Sequence, residues 1–171
     1  MEKTEAMAKS RADWVQEALG RYEAPLLRYA SRLLDDPETA RDVVQDCFVR
    51  LCEQNPETLD GHLVEWLYTV CRRRAIDHLR RNGRMHRLDE HEPAVETDDP
   101  VERREQETTL MERVAGLPRR QQDVLLLKFQ EGLSYKQIAA ITSTSSGNVG
   151  YLLHHALRTL RSQLAPGRSE R

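Results

Sequence analysis

Seven arginines, Arg72, Arg73, Arg74, Arg80, Arg81, Arg84 and Arg87, stand against Asp77 alone between positions 72 and 87. Guanidinium groups at that density suit a polyanion, because each phosphate they neutralise releases condensed counterions. From Leu117 to the end, eight basic residues face three acids, so a second basic stretch closes the chain. A lone arginine run is more often a solvated helix face than a binding site. Here the second basic stretch coincides with a pattern that builds a DNA reader, which shifts the weight toward nucleic acid.

That pattern is a helix-turn-helix. LSYKQIAAI (133–141), a short polar break and SSGNVGYLLHHALRTLR (145–161) put small and apolar residues where two crossed helices touch. Ala139 marks the close approach, and Ile138, Ile141, Val149, Leu152 and Leu153 recur at the three- and four-residue intervals of buried helical faces. The opposite face of the second helix is left for a DNA groove. Ser134 with Gln137 forms a capping box for the first helix, and Ser145 or Ser146 can cap the second. The competing reading of this segment alone is a helical hairpin buried in an ordinary bundle.

Other chemistry has little to stand on. Cys47, Cys52 and Cys71 form no CxxC pair and read as reduced residues of cores or helix flanks. The six histidines form no HxxxH or HExxH arrangement, and the adjacent His154 and His155 diverge by about 100° on a helix, so no metal is expected. No nucleophile elbow, phosphate loop or carboxylate pair appears, so neither catalysis nor a cofactor is expected. With 5% aromatic and 32% charged residues, 8 Gly and 7 Pro, and little period-two alternation, the 171-residue chain reads as all-α. Its start has no apolar core of a signal peptide, and no run approaches the ~18 apolar residues of a membrane span, so a soluble, intracellular protein is expected.

Between the basic blocks the sign reverses. From Leu88 to Glu107, nine acids face Arg103 and Arg104, and DEHEPAVETDDPVE (89–102) carries two prolines and almost no large apolar residue. Such a segment cannot bury enough surface to offset its chain entropy, so 88–108 is expected to be an extended acidic linker. It divides the chain into a domain over 1–87 and another over 109–171, each small enough for a marginal core. In the first domain, residues 13–34 place Trp14, Ala18, Leu19, Tyr22, Leu26, Tyr29, Ala30 and Leu33 on one broad face, with Pro25 expected to kink the helix or start its second half. Asp36 and Pro37 supply an N-cap and a first-turn proline for a second helix, with Val43, Val44, Cys47, Phe48 and Leu51 as its apolar stripe. Asp42, Gln45, Asp46 and Arg50 occupy its other face, which suits solvent or a polar partner equally well. A third helix, from about His62 to Arg81, turns Leu63, Trp66, Leu67, Val70 and Cys71 to the core and ends in the arginine block.

DVVQDCFVRL (42–51), WLYTVCRRRAIDHLRR (66–81), LPRRQQDVLLLKF (117–129) and LSYKQIAAI with its following helix resemble, in order and spacing, the small two-domain bacterial RNA polymerase sigma factors of the extracytoplasmic-function group. The resemblance covers roughly residues 13–162. It implies two helical domains, the first binding the polymerase clamp and opening the −10 promoter element, the second reading the −35 element in the major groove. By it, Asp42, Gln45, Asp46 and Arg50 form the docking face for core RNA polymerase. Arg72, Arg73, Arg74, His78, Arg80 and Arg81 run along promoter DNA. The loop within PETLDGHL (56–63) and an asparagine common at the position of Arg73 hold an unstacked base, and this chain departs from the pattern at that position. In the second domain Ser145, Ser146, Asn148, Tyr151 and His155 become candidates for groove contact, with Lys136, Arg158 and Arg161 as phosphate anchors. Asn148 suits pairing with adenine or a capping role equally well. Two further departures are Ser143, where such turns usually carry glycine, and Gly150, Tyr151 and Leu152, where a basic residue usually follows the position of Val149.

The reading that gathers these features is a transcription initiation factor without catalytic activity, whose partners are core RNA polymerase and promoter DNA. The resemblance also allows an anti-sigma protein as a further partner, and no membrane is expected. Its acidic linker would run near the polymerase active-site channel. Rival readings are a stand-alone helix-turn-helix regulator, which would bind specific DNA without polymerase, and a sigma-like decoy, which would direct no transcription.

Overall fold

The structure, a computed structural model, describes residues 2–34, 36–81 and 104–164. They form seven α-helices and one 3-10 turn, with no strand among the described residues. The three helices before residue 82 belong to one compact unit, to which Ala140–Ser143 is also assigned, and the other helical residues after 103 belong to a second. Of the stretch expected to be an extended linker, 88–108, residues 88–103 lie outside the described residues, as do Arg84 and Arg87.

In the first unit, α1 (Glu2–Leu34) starts well before Asp13 and continues through Pro25 as one helix. The expected break is overridden by packing. Leu26, Tyr29, Ala30, Leu33 and Leu34 are all buried just beyond the proline, and their burial outweighs the roughly 3 kcal/mol that proline costs inside a helix. Trp14, Leu19 and Tyr22 lie at the rim, half-buried.

Helix α2 (Pro37–Cys52) starts as its sequence dictates. Asp36 is extended, and its carboxylate accepts from the backbone N–H of Glu38 at 3.2 Å and of Thr39 at 3.3 Å, with Pro37 in the first turn. The Thr39 hydroxyl also donates to Asp36 Oδ2. Val43, Val44, Cys47, Phe48 and Leu51 are buried, joined by Ala40.

A 3-10 turn (Pro56–Thr58) follows, capped by Asn55 Oδ1, which accepts from the Glu57 N–H at 3.2 Å. Leu59 anchors this loop in the core, and Gly61, at φ 71°, turns it into the next helix. Helix α3 (Leu63–Arg81) buries Leu67, Tyr68, Cys71, Ala75 and Leu79. Leu63, Trp66 and Val70 are only half-buried. Tyr68 takes the central place instead, its ring edge-on to that of Tyr29 with centroids 5.4 Å apart. Of the cysteines, Cys47 and Cys71 are core residues and Cys52 is exposed; all three are free thiols.

The second unit opens with α4 (Arg104–Ala115), so positions 104–108 of the stretch read as linker are helical. The buried Gln122 amide ends this helix by donating to the carbonyls of Ala115 at 2.7 Å and Leu117 at 2.6 Å. The Arg113 guanidinium reaches the Gln163 carbonyl and ties α4 to the last helix. Helix α5 (Arg119–Phe129) buries Val124, Leu126 and Leu127. Helices α6 (Tyr135–Thr142) and α7 (Ser146–Leu164) form the helix-turn-helix. Ile138 and Ile141 from α6 and Val149, Leu153, Ala156 and Leu160 from α7 complete the core.

Candidate nucleic-acid interface

The two helices of the motif are fixed by side chains that act on their ends. At the start of α6 the capping box closes both ways: the Ser134 N–H donates to Gln137 Oε1 at 3.0 Å, and the Gln137 N–H donates to Ser134 Oγ at 3.2 Å. At its end the Thr144 N–H donates to the Ala139 carbonyl at 2.9 Å and the Ser143 N–H to the Ala140 carbonyl at 3.4 Å. These are the two bonds of a Schellman turn, which requires a left-handed residue. Ser143 supplies it at φ 53°, the only positive φ outside glycine among the described residues. The turn thus keeps its usual shape with serine in place of glycine, at a steric cost of about 1 kcal/mol.

Of the two serines that could cap α7, Ser145 does so. Its Oγ accepts the Asn148 N–H at 3.1 Å, and Ser146 is the first helical residue. Asn148 is therefore not the cap; its side-chain Nδ2 donates to Thr144 Oγ1 at 2.8 Å. While Val149, Leu153 and Ala156 face inward, Ser145, Ser146, Asn148 and Tyr151 are exposed on the other side, Tyr151 at 60%. A hairpin buried on both faces would not leave such a side open. Tyr151 packs on His155, with ring centroids 4.2 Å apart, and Lys136, Arg158 and Arg161 are exposed around them. At Gly150 an added Cβ would sit 3.6 Å from the Tyr135 ring, ordinary contact, so close approach does not require glycine there.

In the first unit the arginine block is divided by the geometry of α3. Arg73 and Arg80, seven residues apart, share the face away from the core, with Arg81 beside them, and all three are exposed. Arg72 and His78 are half-buried on the flanks. Arg74 turns toward α2, where its Nε lies 2.6 Å from Asp46 Oδ2. Arg50 Nε meets the same oxygen at 3.1 Å, so one carboxylate holds two guanidinium groups. Asp42 and Gln45 are exposed on the same helix. Sequence reasoning missed this link because it assigned Asp46 and Arg74 to different surfaces. No cluster of three or more histidine, cysteine or acidic residues that could hold a metal occurs among the described residues, and none of their helices is long and apolar enough to cross a membrane.

Residues 12–85 match the family model for Sigma-70 region 2, and residues 108–160 match that for Sigma-70, region 4. The chain is similar to the RNA polymerase sigma factor SigV of Bacillus subtilis, 30% identical over 142 residues covering 80% of this chain and 82% of that protein. It is similar to the ECF RNA polymerase sigma factor SigL of Mycobacterium tuberculosis, 30% identical over 172 residues, 96% of each. The RNA polymerase sigma-E factor of Streptomyces avermitilis is 32% identical over 143 residues, 81% of this chain and 78% of that one. Among solved structures, CnrH in complex with the cytosolic domain of CnrY has a like fold, with a TM-score of 0.64 at 20% identity over 93% of this chain and 95% of that one.

Proposed function

Because this chain belongs to the extracytoplasmic-function sigma factors of the sigma-70 family, which direct RNA polymerase to promoters, we propose a residue-level division of that work between its two units. In the first, Asp42, Gln45, Asp46 and Arg50 on α2 dock on core RNA polymerase, where carboxylates favour a basic partner and set register and association rate. Arg73, Arg80 and Arg81 on the outward face of α3, flanked by Arg72 and His78, follow the phosphates around the −10 element, while Arg74 is held by Asp46. In the second, the exposed side of α7 enters the major groove of the −35 element. Ser145, Ser146, Asn148, Tyr151 and His155 face base edges there, and Lys136, Arg158 and Arg161 hold the backbone.

The observation that carries this reading is the two-sidedness of α7: apolar residues seal one side to the unit's core, and polar and aromatic residues stand uncovered on the other. The stretch 88–103 joins the units as an acidic tether that runs near the active-site channel of polymerase. An anti-sigma protein is a further partner we infer from family membership, and work on core polymerase puts the chain in the cytoplasm.

The test is transcription in vitro from a pool of genomic fragments by core polymerase with and without the chain. New start sites sharing a −10 and a −35 sequence at constant spacing are expected. A decoy would add no start sites, and a stand-alone regulator would retain specific fragments in the absence of polymerase.

A further inference from the structure

We propose that Thr144 is a positioning residue for base reading: its hydroxyl holds the Asn148 side chain in the pose that pairs with an adenine of the −35 element. The inference rests on the reading of α7 as the −35 helix and adds a residue outside that helix to it.

An asparagine in the first turn of a helix has a competing use, because its side-chain oxygen can accept an N–H left unpaired at the helix start. At α7 that use is taken, since Ser145 Oγ receives the Asn148 N–H at 3.1 Å. The Asn148 amide instead reaches back past the start of the helix, where its Nδ2 donates to Thr144 Oγ1 at 2.8 Å. That bond uses one of two amide hydrogens. The second N–H and Oδ1 remain on an exposed side chain, and one donor beside one acceptor is the pair that meets N7 and the N6 amino group of adenine.

An unrestrained exposed asparagine samples several rotamers and loses that freedom on binding, whereas a held one has already lost it. Thr144 is suited to hold it because Thr144 is itself fixed: its N–H closes the Schellman turn on the Ala139 carbonyl at 2.9 Å, and its side chain is half-buried. The turn thereby sets the aim of a base-reading side chain, not only the angle between the helices.

The test uses holoenzyme assembled from core RNA polymerase and the full chain, initiating on a promoter library randomised across the −35 element. The variants are Thr144→Val, which keeps the shape and the backbone bond but removes the hydroxyl; Thr144→Ser, which keeps the hydroxyl; Asn148→Ala; and Thr144→Val with Asn148→Ala. Asn148→Ala is expected to abolish an adenine preference at one position. Thr144→Val should cut that same preference by about three- to tenfold and leave other positions unchanged. Thr144→Ser should retain it, and the double variant should match Asn148→Ala. Asn148→Ala acting alone, with Thr144→Val like the wild type or merely lowering yield across all sequences, overturns the positioning role and leaves base reading by α7 standing. A position preferring another base overturns the assignment to adenine. If Asn148→Ala changes no position, both the positioning role and base reading by Asn148 fall.

Discussion

Arg74 of α3 and Asp46 of α2 meet at 2.6 Å, Nε to Oδ2, and Arg50 closes on the same oxygen at 3.1 Å. The arginine block proposed to follow promoter phosphates is thus tied to the helix proposed to dock on polymerase. The three side chains remain 30–45% exposed, so solvent screens the pairs and each contributes about 1 kcal/mol or less. The network fixes orientation more than it stabilises.

Charge reversal of that face should therefore separate docking from folding. Asp42→Lys combined with Asp46→Lys is expected to weaken binding to core polymerase by about tenfold or more, with an unchanged helical circular dichroism spectrum. Titration of labelled core enzyme measures it, and wild-type affinity would remove α2 from the docking face.

The arginines of α3 should not be equivalent. Arg73→Ala and Arg80→Ala are each expected to reduce the salt dependence of promoter-complex formation by about one unit of slope. Arg74→Ala should leave the slope near that of the wild type, because its guanidinium is engaged by Asp46. Open-complex formation measured across a salt series distinguishes the three.

Ser143 offers a stability test independent of function. At φ 53° it bears a steric cost that glycine escapes, so Ser143→Gly is expected to stabilise the second unit by about 0.5–1 kcal/mol after glycine's greater chain entropy is counted. Thermal melting should move upward, and Ser143→Val should move it down.

Two helix starts were legible in the sequence because each depends on residues a few positions apart, Asp36 with Pro37 and Ser134 with Gln137; at α7 the sequence left Ser145, Ser146 and Asn148 open, and the fold selects Ser145. The helical fold class and the exposed side of α7 followed from periodicity for the same reason. What periodicity could not supply was the choice among neighbouring apolar residues. Trp66 and Val70 share the period of Leu67 and Cys71, yet Tyr68 fills the core because Tyr29 of another helix supplies an edge-on partner. Pro25 misled for a related reason, since the packing beyond it is a tertiary effect. Only the fold shows that Gln122 is buried and caps α4 through two carbonyls. The Asp46–Arg74 pair spans 28 positions and has no local signal.

Promoter selection by a Tyr151→Ala holoenzyme, on a library randomised at both the −35 and −10 elements and paired with thermal melts, tests the division of labour most directly. Tyr151 is 60% exposed, so its truncation should cost about 0.5 kcal/mol or less, whereas Tyr68→Ala in the core of the first unit should cost about 3–5 kcal/mol. The expected result is an altered −35 preference, an unchanged −10 preference and a nearly unchanged melt. A large loss of stability with the −35 preference intact would contradict the role of α7 as the upstream reader.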